Sequence, residues 1–233
     1  HLTKVDSEYP DNKLTGATFE VYKDSNANGK LDDGDELLGT LTEKEIGEYG
    51  MNDLFYGRYF VKETKAPEGF VLDTGVYEVM IDTNGKTYEV ENKAGVGFVN
   101  DAMRGNLKII KTSSDGKVKG FAFRITGANG YDIILETNDK GEIFIDELRI
   151  GDYTISEVNN SASSMYVIPA DKKATVKLGS TTIVEMHNVL RDTPKTGDTT
   201  NLPLLYALAG LSAVGIAVCG VIGFKKKKKE DRN

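Results

Sequence analysis

The sequence predicts an all-β protein: two tandem β-sandwiches followed by a single C-terminal transmembrane helix. Three observations carry this. First, one pattern occurs twice, as Asp53-Leu54-Phe55-Tyr56-Gly57-Arg58-Tyr59-Phe60-Val61-Lys62-Glu63 and as Glu147-Leu148-Arg149-Ile150-Gly151-Asp152-Tyr153-Thr154-Ile155-Ser156-Glu157. The match reaches back to Gly47-Glu48 and Gly141-Glu142 at the same spacing, so one structural unit is built twice. Second, the stretches around these copies are short alternating runs between Gly, Asn and Asp turns, which is sandwich patterning. Third, residues 202–224 hold 23 residues without a charge. At ~1.5 Å per residue they reach ~34 Å, enough to cross ~30 Å of hydrocarbon.

The chain has 233 residues, 39% hydrophobic and 28% charged, which suits globular modules. The expected division is 1–103 and 104–190 for the sandwiches, 191–201 for a linker, 202–224 for the span and 225–233 for a basic cytoplasmic tail. Net charge is −7, but the tail from Lys225 is basic, so everything before it is more acidic still. That argues against a nucleic-acid partner. Cys219 is the one cysteine and lies in the apolar run, so no disulfide within the chain toughens the sandwiches. No secretory signal is visible at His1, and the sequence begins inside what reads as a strand. The expectation is a C-terminal piece of a longer protein.

In chain order, residues 1–6 read as a first strand with Leu2 and Lys4 on one face. In the next strand Ala17, Phe19 and Val21 alternate inward, and its counterpart is residues 120–125. Residues 42–46 are expected to form a short helical turn. Val76–Ile81, 87–90 and 96–100 read as strands, with Asn84-Gly85 as a hairpin turn. The second unit repeats the opening, with Leu107, Ile109 and Lys111 on one face. In each repeated strand the face carrying Tyr and Val/Ile ends in an acid, Glu63 or Glu157. Each closing strand ends an apolar face in an Asn: Val96, Phe98 and Asn100, then Val184, Met186 and Asn188.

Lys, Glu and Asn on core-facing rows have a shared chemical use. Burial lowers an amine's pKa and leaves it neutral and nucleophilic; it also keeps a carboxyl protonated. The acid polarises the Asn amide, the amine attacks, ammonia leaves, and a Lys–Asn amide crosslink remains. Single residues of these types usually reach solvent at strand edges, but here all three types recur at matching places.

With these residues in view, both units resemble the collagen-adhesin B-type (SpaA-like, prealbumin-like) domains of Gram-positive surface proteins and pilins. The first unit carries that family's hallmark after its acid, as Glu63-Thr64-Lys65-Ala66-Pro67-Glu68-Gly69-Phe70; the second has Val158-Asn159-Asn160-Ser161 there instead. The resemblance covers roughly residues 1–190 and implies Ig-like/prealbumin-like sandwiches. It also implies isopeptide triads Lys4, Glu63, Asn100 and Lys111, Glu157, Asn188, with both acids serving bond formation only. Asn92 is the rival acceptor in the first unit.

Two further motifs remain. Residues 24–35 place Asp24, Asn26, Asn28, Asp32 and Asp35 at positions 1, 3, 5, 9 and 12 of a calcium-loop spacing, with Gly29 at position 6 and the Lys30 carbonyl at 7. A structural Ca2+ is the metal this spacing fits; no cofactor is required. The bland alternative is an Asx-rich hairpin loop without metal. At the C-terminus, Thr193-Pro194-Lys195-Thr196-Gly197 precedes the apolar span, and Lys225 to Lys229 follow it. Positive charge marks the cytoplasmic side, which puts the sandwiches outside. Pentapeptide, span and basic tail resemble a sortase sorting signal, with Thr193 where Leu is usual. The resemblance implies cleavage between Thr196 and Gly197, and transfer of Thr196 to peptidoglycan or a pilin subunit.

The function expected is therefore a cell-surface, wall-anchored stalk or pilin-like segment that passes through the plasma membrane before sorting. The alternatives are an adhesin module for a host matrix protein or glycan, and the non-catalytic end of a larger surface enzyme. Catalysis on an external substrate is not expected. The histidines are His1 and His187, and no nucleophile–base set can be assembled from the sequence.

Overall fold

The computed structural model describes residues 1–192. Alternating apolar residues and frequent turns produce sixteen strands there, in two successive sandwiches. The first contains β1 (Leu2–Asp6), β2 (Thr18–Lys23), β3 (Glu36–Thr40), β4 (Thr42–Glu45), β5 (Glu48–Gly50), β6 (Gly57–Lys65), β7 (Val76–Ile81) and β8 (Phe98–Asn100). The second contains β9 (Arg104–Ser113), β10 (Ala122–Thr126), β11 (Asp132–Glu136), β12 (Glu142–Arg149), β13 (Gly151–Val158), β14 (Tyr166–Val167), β15 (Lys172–Val176) and β16 (Thr181–Leu190).

Each sandwich is a pair of four-stranded sheets. The orders are β4-β5-β1-β8 with β3-β2-β6-β7, and β12-β9-β16-β14 with β11-β10-β13-β15. In both, the first strand lies parallel to the last: Lys4 opposite Phe98 and Asp6 opposite Asn100, then Lys111 opposite Met186 and Ser113 opposite Asn188. The acid-bearing strands β6 and β13 belong to the opposite sheets. Inward faces of two sheets meet across ~10 Å, so the acid approaches Lys and Asn from across the core.

The cores follow the alternation. Leu2, Phe19, Val21, Tyr49, Tyr59, Val61, Val90 and Phe98 cluster in the first sandwich. Phe19 meets Tyr49 and Phe98 edge-on, with centroids 5.3 and 4.9 Å apart, a favoured aromatic geometry. The second core gathers Leu107, Ile109, Phe121, Phe123, Ile125, Ile155 and Met186, among others.

Three local expectations are corrected. Residues 42–46 do not form a helical turn. Thr42–Glu45 is a strand, because Gly47 at φ +71° reverses the chain and lays Thr42 opposite Gly50 and Glu43 opposite Tyr49. Residues 87–90 are not a strand. Asn84-Gly85 does turn, with Gly85 at φ +74°, but the Tyr88 hydroxyl then accepts from the Asp82 and Thr83 N–H groups and pulls the segment out of a ladder. The last strand begins at Phe98 rather than at residue 96, because Gly97 sits at φ +124°. A Cβ on Gly97 would stand 2.7 Å from the Thr3 carbonyl oxygen, a close approach that only Gly tolerates.

Among the described residues, no helix is long and apolar enough to cross a membrane. The pentapeptide at 193–197, the apolar span at 202–224 and the basic tail at 225–233 lie outside the described residues.

Candidate functional site

The two opening strands drive their lysines into the interior. Lys4 is 0% and Lys111 1% exposed, although Lys is almost never fully buried unless paired. Lys4 Nζ donates to the Val5 and Phe98 carbonyls at 3.2 and 3.0 Å. Two bonds use both N–H groups of a neutral amine and leave its lone pair uncommitted; an ammonium would need a third acceptor. Burial pulls the Lys4 amine down to about 8, against the nearby charges of Glu63, Asp6 and Asp73. The neutral share near pH 7 then rises from ~0.03% to ~10%. Lys111 donates to the Thr112 carbonyl, and its Nζ lies 4.2 Å from the Phe121 ring centroid. Burial lowers its pKa too, opposed by Glu157 and Asp115.

Glu63 and Glu157 close the core-facing rows of β6 and β13 and are buried. Burial pushes both carboxyls above the usual range, against the pull of hydrogen bonds and of the nearby lysine. Glu63 Oε2 accepts from Asn100 Nδ2 at 2.9 Å and from the Asp73 N–H at 2.8 Å. Glu157 Oε1 accepts from Asn188 Nδ2 at 2.6 Å. Four further atoms are buried without a partner: Glu63 Oε1 and Asn100 Oδ1, Glu157 Oε2 and Asn188 Oδ1. In each unit they are the other carboxyl oxygen and the amide oxygen of one Glu–Asn pair. Two acceptors cannot satisfy each other, and leaving them so costs ~1–3 kcal/mol each. A proton on the free carboxyl oxygen would supply a donor for the amide oxygen of the same pair.

Asn100 and Asn92 separate clearly. Asn100 Nδ2 contacts Glu63 and also donates to the Val71 carbonyl at 2.8 Å, so the loop after the hallmark helps hold the amide. Asn92 instead bridges Asp73 Oδ2 and both backbone groups of Val99, at 2.6–2.8 Å. Its side chain is fully engaged in closing the segment before β8. Asp73 went unnoticed in the sequence. Burial pushes its carboxyl up, but bonds from Asn92, Tyr77 and the Gly75 N–H outweigh this and hold it ionised. Its place in an Asp-Thr-Gly turn was the only signal, and a weak one. The second unit lacks the hallmark. There Asn160 builds the loop, donating to the Gly120 carbonyl at 2.7 Å.

The Glu63 acid titrates in a definite direction. The folded state binds the Glu63 proton more tightly than the unfolded chain. The resulting stability is therefore full below ~4.5 and lost as pH rises through the raised folded pKa. In a Lys4→Ala chain the amine no longer opposes that rise. Its Tm is expected to fall, with increasing pH, relative to a Lys4→Ala/Glu63→Gln chain. Parallel melting curves from about pH 4.5 to 8 would show instead that Glu63 is no harder to ionise in the folded chain than in the unfolded one.

The loop at 24–35 connects strands β2 and β3. Asp24 accepts from the Asn28 and Gly29 N–H groups and from Arg58. Asp32 accepts from Asn26, Asn28 and the Gly34 N–H, and Asp35 from the Ser25 and Asp32 N–H groups. Asn28 Oδ1 accepts from the Lys30 N–H. The loop thus satisfies its own backbone. Among the described residues, no three His, Cys, Asp or Glu side chains converge as metal ligands would.

Two tandem sandwiches, each with its first strand parallel to its last, define a prealbumin-like class of β-module. A family model described as SpaA, prealbumin-like fold domain, matches residues 1–94 and again 105–189. The chain belongs to that family. No curated protein sequence matches it. Among solved structures, it is similar to the Bacillus anthracis TIE protein, at 24% identity and a TM-score of 0.58 over 80% of this chain and 33% of that one. The chain therefore spans about a third of that protein's length. It is also similar to the minor pilin of Streptococcus agalactiae, at 19% identity and TM-score 0.39, covering 84% and 97% of the two chains. A C-terminal fragment of the pilus adhesin SpaC from Lactobacillus rhamnosus GG matches at 14% identity and TM-score 0.47, covering 81% and 95%. At 24% identity the likeness to the TIE protein speaks for the fold alone.

Proposed function

We propose that this chain is a cell-surface stalk or pilin-like segment in which each sandwich is stapled by a Lys–Asn isopeptide bond. The carrying observation is the pair of orphaned oxygens, repeated in both units, on a Glu and an Asn of a sandwich that also buries a Lys. The protonated Glu donates to the Asn amide oxygen. The neutral Lys Nζ attacks the amide carbon, the tetrahedral centre collapses, and the Cγ–Nδ2 bond breaks. The proton released by Nζ leaves with Nδ2 as ammonia, and Glu ends as it began. Each Lys reacts once, so this is self-modification rather than turnover. Lys4 to Asn100 and Lys111 to Asn188 would each join a first strand to the last, so tension applied along the chain meets a covalent clamp.

Attachment to the wall rests on the order of motifs in the sequence: the pentapeptide at 193–197, the apolar span and the basic run. A sortase would cut after Thr196 and pass it to peptidoglycan or a pilin amine.

Intact mass of the full chain tests the crosslinks. Each bond lowers the mass by about 17 Da, the ammonia lost in condensation. Two losses are expected in the unaltered chain, and one in Lys4→Ala or Lys111→Ala. Glu63→Ala should stay folded and keep only the second loss. A chain weighing what its sequence dictates would overturn the reading, and full loss in Glu63→Ala would remove Glu63 as proton donor.

A further inference from the structure

The two sandwiches bury the same three residue types but differ just beyond the lysine. Leu2, Lys4 and Asp6 share the inward face of β1. Asp6 lies opposite the acceptor Asn100 in the parallel ladder and is 1% exposed. In the second unit the matching place, opposite Asn188, holds the neutral Ser113. Its hydroxyl donates to the Lys117 carbonyl at 2.6 Å. The acid there, Asp115, lies further along and is served from within its own sandwich, by the Tyr166 hydroxyl at 2.6 Å and by Lys117 at 3.4 Å.

Three carboxyl groups act on the Lys4 amine: Glu63, Asp6 and Asp73. Glu63 carries the proton of the proposed reaction. Asp73 accepts from Asn92, Tyr77 and the Gly75 N–H within the first sandwich. Asp6 draws on the other sandwich. The Glu8 and Tyr9 N–H groups reach its Oδ1, whereas Oδ2 accepts from Arg149 Nη1 at 2.5 Å, and Nη2 of the same fork reaches Oδ1 at 2.7 Å. Arg149 stands on β12, beyond the short connection Asp101–Met103. That connection is tied on both sides. The Met103 N–H donates to the Gly69 carbonyl at 2.8 Å, and the Met103 carbonyl accepts from the Ile150 N–H at 3.0 Å. Arg149 therefore meets Asp6 when the second sandwich is folded and seated on the first.

We propose that Arg149 is a positioning residue for the first crosslink, acting through Asp6: by holding that carboxylate it keeps Lys4 from taking Asp6 as an ion partner and leaves the amine free to meet Asn100. The proposal rests on the isopeptide reading given above. A buried carboxylate left unpaired on the same strand face favours the ammonium form of Lys4 and draws Nζ toward itself. An ammonium has no lone pair and cannot attack until its proton is lost. The first bond thus waits for the second sandwich to fold, while the second bond needs nothing from the first unit.

The test follows both bonds in full chains made by cell-free synthesis and sampled over time. After proteolysis, mass spectrometry reads the linked Lys4–Asn100 and Lys111–Asn188 peptides. Arg149→Ala is expected to slow the first bond by about tenfold or more, the least by which a nearby unpaired carboxylate favours a charged amine. The second bond should form at its original rate. Adding Asp6→Ser to Arg149→Ala copies the second unit and is expected to restore the first bond. If Arg149 merely held the sandwiches together, the double variant would stay as slow as the single one, which would overturn the proposal. So would a first bond that forms at full rate in Arg149→Ala. Absence of both linked peptides from the unaltered chain would instead bring down the crosslink reading, and this proposal with it.

Discussion

Replacing Lys4 by Met is expected to lower the melting temperature of the first sandwich by roughly 20–35 °C. A crosslink from Lys4 to Asn100 closes about 97 residues, worth ~4.7 kcal/mol by loop-closure entropy. One kcal/mol moves a domain of this size by about 4–8 °C. Met preserves the apolar stem and removes the amine, so the size of the change decides the matter. If Lys4 were merely buried, the loss would be its two hydrogen bonds to the Val5 and Phe98 carbonyls, about 0.5–1.5 kcal/mol each, offset by the amine's own desolvation. A drop of about 20 °C or more requires the lost covalent bond. Lys111→Met should behave alike in the second sandwich. Calorimetry of both variants beside the unaltered chain makes the measurement, and an unchanged or raised Tm would sink the staple.

Replacing Arg149 by Ala is expected to cost about 3 kcal/mol and to uncouple the two sandwiches. Arg149 forks onto Asp6 at 2.5 and 2.7 Å and onto Glu8 at 3.0 and 2.6 Å, while its guanidinium lies 4.9 Å from the Tyr9 ring centroid. The Asp6 side chain is only 2% exposed. Removing one partner of such a buried pair leaves the other charge unpaired, which costs about 3–5 kcal/mol. The low end applies because the Glu8 and Tyr9 N–H groups still serve Asp6 Oδ1. Arg104 on Glu8 adds a second, more exposed contact. The expected readout is a melt that splits into two transitions. Lys at 149 should recover little, because it lacks the planar fork. A single transition at the original temperature would show that the sandwiches melt together for another reason.

Most of the site's raw material was legible because strand alternation is strict. Once Tyr59, Val61 and Glu63 shared a face with two apolar members, the acid had to point inward, and the same held for Lys4, Lys111, Asn100 and Asn188. Asn92 and Asn100 could not be separated that way. Each lies near β8, and only the folded chain shows Asn92 spent on Asp73 and Val99 while Asn100 meets Glu63. The helical turn expected at 42–46 failed because local composition was weighed without the strand at 48–50 that captures it.

What the sequence by itself determined is the duplicated unit, its inward rows and the chemistry of the residues that end them. Covalent spacing and side-chain period dictate these things without reference to distant parts of the chain. Tertiary structure alone decided which atoms are left without partners and how Arg149 of one sandwich finds Asp6 of the other. These depend on residues dozens to well over a hundred positions apart being brought within a few ångströms, and no local pattern encodes that.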